Sequence, residues 1–229
     1  MSSCKRFTAR SIEKINLRKL LQLFYADVRQ RRSLLLADIR SDLRRQVGEK
    51  GGDFYAPFWA DAKDHVGGIA DLRDRSKARV ESNKARARLY PLLANGFLKL
   101  WNEKARWRNE AFDFVPTNVS ARFSIAELGA VVKVENVAAV RLQDGSYRIV
   151  YPYFSERPAL PTEGARLGFW AIKEALADFA IEDVRVIDIL RSAYFRPSED
   201  PARGDERTIF IQKYDSLLRE WRKLKEDLE

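Results

Sequence analysis

Residues 131–195 constrain the fold of this 229-residue chain more tightly than any other stretch. Two apolar runs, 131–142 and 147–154, flank the polar tetrapeptide Gln143-Asp144-Gly145-Ser146. Asp-Gly between β-branched runs predicts a hairpin, because glycine takes up the positive φ that a tight turn demands. After a Pro-rich connection, Thr162-Glu163-Gly164-Ala165-Arg166 opens a helical pattern that ends near Phe179, and 184–190 reads as a further strand. Upstream, 121–125 reads as a short strand and Ala126-Glu127-Leu128-Gly129 as a turn. A helix, a strand, a hairpin, a second helix and a last strand make the order of an α/β layer domain.

The front of the chain has a different period. Between residues 11 and 47 the apolar positions Leu17, Leu20, Leu21, Phe24 and Val28, then Leu35, Leu36, Ile39, Leu43 and Val47, recur at helical spacing. This predicts one long amphipathic helix or two with a break near Arg31, stopped by Gly48, Gly51 and Gly52. The aromatic cluster Phe54, Tyr55, Phe58 and Trp59 is expected to hold helices together, with base stacking as its other use. Residues 69–89 form the most hydrophilic helical candidate, with only Ile69, Leu72, Val80 and Leu89 as sizeable apolar side chains. So few core-facing residues predict a projecting arm or a surface that orders against a partner. Pro91 suits the first turn of the next helix, which runs to about Phe112 with Leu92, Leu93, Phe97, Leu98, Trp101 and Ala105 on its buried side.

Pro116-Thr117-Asn118 marks the change from helical to strand periodicity. It divides the chain into a basic helical region, 1–115, and a mixed α/β domain, 116–229, against which the helix at 92–112 is expected to pack. A last helix over 208–228 carries Ile209, Ile211, Tyr214, Leu217, Leu218, Trp221, Leu224 and Leu228 as a wide apolar stripe. That stripe docks on its own domain or on a second copy, which would make a homo-oligomer. The fold class expected is therefore mixed α+β.

Charge divides along the same line. Residues 1–110 hold 25 Lys and Arg against 13 Asp and Glu, whereas residues 111–229 hold 17 against 20. The cationic excess of the whole chain, +9, thus belongs to its front half. Such a field attracts polyanions and weakens with salt, which points to DNA or RNA, or else to an acidic protein surface; a merely solvated helix face is the plainer alternative. Arg75, Arg79, Lys84, Arg86 and Arg88 are the residues expected to contact phosphate, positioning a nucleic acid without reading its sequence.

The segment 92–195 resembles the core of the PD-(D/E)xK, or restriction-endonuclease-like, nuclease superfamily, in which a helix precedes a hairpin and a helix plus strand follow. The resemblance implies a first carboxylate on one hairpin strand and an acid-x-Lys triplet on the other, together holding a divalent cation that polarises phosphate and activates water. Here the first position falls near Asn136 or Val137 and the triplet on Tyr151-Pro152-Tyr153, none of which suits a hard cation, and Pro152 signals an edge strand or a bulge. The leading expectation is a catalytically degenerate nuclease-like module that binds or scaffolds nucleic acid without a metal. What the resemblance implies beyond that is a setting in a bacterial mobile-element, defence or repair assembly. The enzymatic alternative is an active Mg²⁺- or Mn²⁺-dependent nuclease with a migrated site at Glu103, Glu135 and Glu156, or with Glu110 in place of Glu103.

Other chemistries find little support. One histidine, His65, and one cysteine, Cys4, are too few for a zinc site within one chain, and Gly67-Gly68 matches no phosphate loop. His65 has carboxylate neighbours that could tune it as a base, but a surface histidine near a turn is the plainer reading, and a Ser-His-Asp triad would have to use it without a nucleophile elbow. Glu163, Arg166, Trp170 and Lys173 share faces of the helix after the hairpin and could look towards a site, but Trp170 at core spacing is more simply packing. Arg191 and Arg196 end the last strand and could meet phosphate or the acidic loop at 199–206. Without a run of about 18 apolar residues or an apolar leader at the N-terminus, no membrane span and a cytoplasmic location are expected.

Overall fold

The computed structural model describes residues 12–46, 53–104 and 112–228. Along the chain run β1 (Lys14–Asn16), α1 (Leu17–Tyr25), α2 (Val28–Gln46), α3 (Ala56–Val66), α4 (Leu72–Ser82) and α5 (Tyr90–Lys99). Then come β2 (Phe112–Ile125), β3 (Ala130–Leu142), β4 (Tyr147–Tyr153), α6 (Thr162–Ala175), β5 (Val184–Asp188), β6 (Ala193–Phe195) and α7 (Glu206–Glu226). The class is mixed α+β, with six strands in one sheet among the described residues.

The expected hairpin is present. β3 and β4 pair antiparallel from Ala138↔Val150 to Arg141↔Tyr147. Gly145 sits at φ 84°, and the Asp144 carboxylate accepts from the backbone N–H and hydroxyl of Ser146. Beyond the hairpin β5 runs parallel to β4, and the short β6 closes the sheet antiparallel to β5.

β3 organises everything else. Its first half carries β1 in parallel register, Lys14↔Val131 to Asn16↔Lys133, and its second half carries β4, while β2 follows the opposite edge along its length. The change of neighbour falls at Asn136, whose φ of 64° bends the strand. Asparagine tolerates that left-handed conformation and a β-branched residue does not. The β2–β3 register slips opposite this bend, between Val115 and Ala121, so Pro116-Thr117-Asn118 lies inside a long bulged strand and not between elements. Proline is tolerated there because a bulge has no continuous ladder to break.

The period of two sends alternate side chains to two cores. Val132, Val134, Ile149, Tyr151, Val184 and Val186 meet α1, α2, α6 and α7 on one face of the sheet. Ala138, Val150, Phe154, Ile187 and Ile189 meet α3, α4 and α5 on the other. Burying both faces of the sheet explains why β4 and β5 read as nearly continuous apolar runs.

Other sequence expectations change as well. The first helical stretch does break, but at Ala26 and not near Arg31: Ala26 is extended, and the Asp27 carboxylate accepts from the backbone N–H of Gln30 to start α2. Residues 14–16 ahead of it form a strand. The hydrophilic segment at 69–89 is no projecting arm, because α4 packs on α3 and α5, burying Leu72 and Ser76. Leu92, expected in the core, is 50% exposed. The aromatic cluster does hold helices together, with Phe58 and Trp59 buried against Tyr90, Phe97 and Phe154. α7 docks on its own domain through Phe210, Tyr214, Leu217, Leu218, Trp221 and Leu224, although Leu228 is left outside. Among the described residues no helix is long and apolar enough to cross a membrane.

Candidate functional site

The place implied for metal chemistry lies where β4 leaves β3. Pairing between the two strands ends at Val150, so Tyr151, Pro152 and Tyr153 keep only β5 as a neighbour and the gap opens towards β1. Pro152 therefore removes a donor from a stretch that has one partner strand. The start of α1 fills the gap. Asn16 caps that helix, its Oδ1 accepting from the Arg18 backbone N–H at 3.0 Å and from the Tyr151 hydroxyl at 3.0 Å. The same Arg18 N–H donates to the Tyr151 oxygen at 2.7 Å, and Asn16 Nδ2 donates to Glu135 Oε2 at 3.3 Å.

This arrangement disfavours a cation. The oxygens in the gap are bound to the positive end of a helix dipole, and burial raises the Tyr151 hydroxyl above its usual range, so it stays protonated. Tyr153 is raised by burial too and donates to the Pro158 carbonyl. Val137 is buried, Asn136 serves the bend, and Glu135 is tied to Asn16 and, at 3.7 Å, to Lys133. Glu156 is held bidentately by Arg88, whose hydrogen bonds lower its pKa. The side chain of Glu103, and all of Glu110, lie outside the described residues. Among the described residues no group of three His, Cys, Asp or Glu is placed to hold a metal ion.

The five cations expected to meet phosphate divide by local chemistry. Arg75 and Lys84 are exposed and make no ion pair with a described residue, as is also true of Lys77. Arg79 reaches inward, forming a bidentate pair with the buried Asp61 at 2.9 and 3.0 Å. Arg86 lies 5.3 Å over the Tyr90 ring, and Arg88 is the Glu156 partner. Buried Asp61 and the loop residue Glu156, 18 and 68 residues away, take up Arg79 and Arg88, which is why spacing along α4 did not separate them from Arg75 and Lys84.

α4 adjoins a cleft of about 420 Å³ lined by Leu92, Asn95, Lys99, Glu156, Leu190 and Arg191. Two contacts join the cleft to the cationic surface: Arg73 donates to Asn95 Oδ1 at 3.3 Å, and Arg88 holds Glu156. Arg191 forms the wall, donating to the Ser155 and Glu156 carbonyls and pairing at 3.3 Å with Asp188. Asp188 ends β5 fully buried, with its pKa raised by that burial and its other oxygen accepting from the Leu160 N–H at 3.1 Å. Asp188 is not among the residues expected from the sequence; the signal for it is an acid closing an apolar strand three residues before an arginine. The cleft sits beyond the carboxyl ends of the parallel β4 and β5, where open α/β sheets bind ligands.

Most of the remaining candidates have partners within the fold. The Tyr25 hydroxyl donates to Glu163, Arg166 faces buried Glu206 at 3.7 Å, and Trp170 packs on Phe123 and Phe210. His65 Nδ1 lies 3.2 Å from the Ala70 carbonyl within the turn before α4, and Arg196 pairs with Glu199. Lys173 makes no ion pair with a described residue, and Cys4 lies outside the described residues. Comparison with protein-family models, curated proteins and solved structures returned no match.

Proposed function

We propose that this protein binds nucleic acid, DNA or RNA, through its phosphates, and that the mixed sheet carries the binding surface rigidly without a metal-dependent nuclease centre. The observation that carries the reading is α4 with its following turn: residues 72–88 hold seven Lys and Arg against two Asp and Glu, on a helix that buries only Leu72 and Ser76. The plugged gap beside Tyr151 supports the second half of the proposal, since a helix N-terminus stands where the superfamily resemblance implies a cation. A cytoplasmic setting, where nucleic acid and a reduced Cys4 coexist, belongs to the same reading.

The test is fluorescence anisotropy with labelled oligonucleotides from about 50 to 200 mM salt. Affinity should fall steeply with salt, and exchanging Arg75, Lys77 and Lys84 for Glu should abolish most binding and flatten the slope by about one per lost phosphate contact. Unchanged affinity overturns the proposal. So does cleavage in Mg²⁺ or Mn²⁺ that disappears in Glu135→Ala, and so does capture of an acidic protein with no affinity for any oligonucleotide.

A further inference from the structure

We infer that the cleft beside α5 holds the base of an unpaired nucleotide, making single-stranded nucleic acid the preferred ligand; this rests on the phosphate-binding reading above. A pocket of about 420 Å³ has the size of an ordinary small-ligand site, for which roughly 300–1,000 Å³ is typical. A duplex laid on a flat cationic face would leave such a hollow unused. Leu92 and Leu190 are the large apolar side chains of its lining, and Leu92 is one of four large hydrophobic residues exposed among the described ones. Apolar side chains of this kind cover the faces of bases taken out of a stack.

The rim supplies the matching charge. Lys99 lines the cleft, is exposed and makes no ion pair with a described residue. Arg73 enters over Asn95, and the lining's one carboxylate, Glu156, is neutralised by Arg88. Backbone phosphates on Arg73 and Lys99 would thus flank a base resting on Leu92. Asn95, exposed in the same lining, offers its amide to the edge of the base. Arg191 is committed to the Ser155 and Glu156 carbonyls and to Asp188, so it shapes the wall and is not a free phosphate ligand.

Three probes of equal phosphate number separate the possibilities: a thymidine oligomer, the same oligomer made wholly of abasic sites, and a duplex. The thymidine strand should bind at least about fivefold more tightly than the abasic strand, the size expected when a base face covers part of a leucine side chain. Leu92→Ser removes the exposed one of the two apolar lining residues without changing charge, and should shrink that difference to under about twofold while leaving abasic and duplex binding as they were. Lys99→Ala should weaken the thymidine and abasic strands together. Equal binding of thymidine and abasic strands, or a Leu92→Ser protein that keeps the preference, overturns the inference while leaving phosphate binding intact. Failure of all three probes to bind overturns the underlying reading instead.

Discussion

Replacing Gly96 with alanine is the sharpest single perturbation the structure offers. A Cβ built there would stand 2.0 Å from the Ile189 carbonyl oxygen, 3.0 Å from its carbon and 3.5 Å from Leu190 Cα. Non-bonded heavy atoms settle at about 3.5–4.0 Å, so α5 and the turn after β5 must part by more than about 1 Å. All three obstructing atoms are backbone, so no side chain can rotate aside. The same approach lets the buried Ser192 hydroxyl donate to the Gly96 carbonyl at 3.1 Å. Overpacking costs about 1–3 kcal/mol and the strained hydrogen bond about 1 more, giving roughly 2–4 kcal/mol. For a chain of this length each kcal/mol moves the melting temperature by about 2–4 °C. Thermal and urea unfolding should therefore show Gly96→Ala melting roughly 5–15 °C below the parent chain. A shift within about 2 °C of zero would refute the close approach and with it the shape of the cleft wall.

Arg79→Ala strands the Asp61 carboxylate, whose side chain is 3% exposed, and because Arg79 is itself 38% exposed and reachable by water the loss should lie near about 2–3 kcal/mol, below the full figure for a buried pair. Urea unfolding measures it, and a loss under about 0.5 kcal/mol would show the pair to be incidental. At Asn136, φ of 64° makes valine cost about 1–2 kcal/mol while glycine is accepted, so equal stability of the two variants would remove the bend from β3. Burial raises the pKa of Asp188, so the folded chain binds its proton more readily than the unfolded one. Its contribution is full below the ordinary aspartate pKa and is lost as pH rises through the folded value. Relative to Asp188→Asn, the parent chain should then lose stability as pH climbs from about 4 towards neutrality, and a difference independent of pH would reject the burial argument.

The hairpin, α6, β5 and α7 could be read from the sequence because each is specified by its neighbours in the chain: Asp144-Gly145 for the turn, period two for the strands, helical stripes for the helices. β1 could not, since three residues, Lys14 to Asn16, become a strand only through Val131 to Lys133. The start of α2 was misplaced because the apolar period continues through Ala26 and Asp27, and only the capping bond of Asp27 stops it. Among the candidate site residues, α4's cationic composition was legible but its division was not. Arg79 and Arg88 are taken up by Asp61 and Glu156, 18 and 68 residues away, and no local pattern encodes that.

The parallel ladder between β1 and β3 ties residue 14 to residue 131, and the hydroxyl of Tyr151 joins Asn16 in accepting from the first turn of α1. During synthesis, the opening helix must therefore wait, with Leu17, Leu20 and Leu21 uncovered, until more than half of the chain has emerged. Loop closure over such a span slows folding and lengthens exposure to aggregation. Splitting the polypeptide at residue 115 would leave each fragment without one wall of a shared interior, so expression of either piece by itself should yield insoluble or chaperone-bound material.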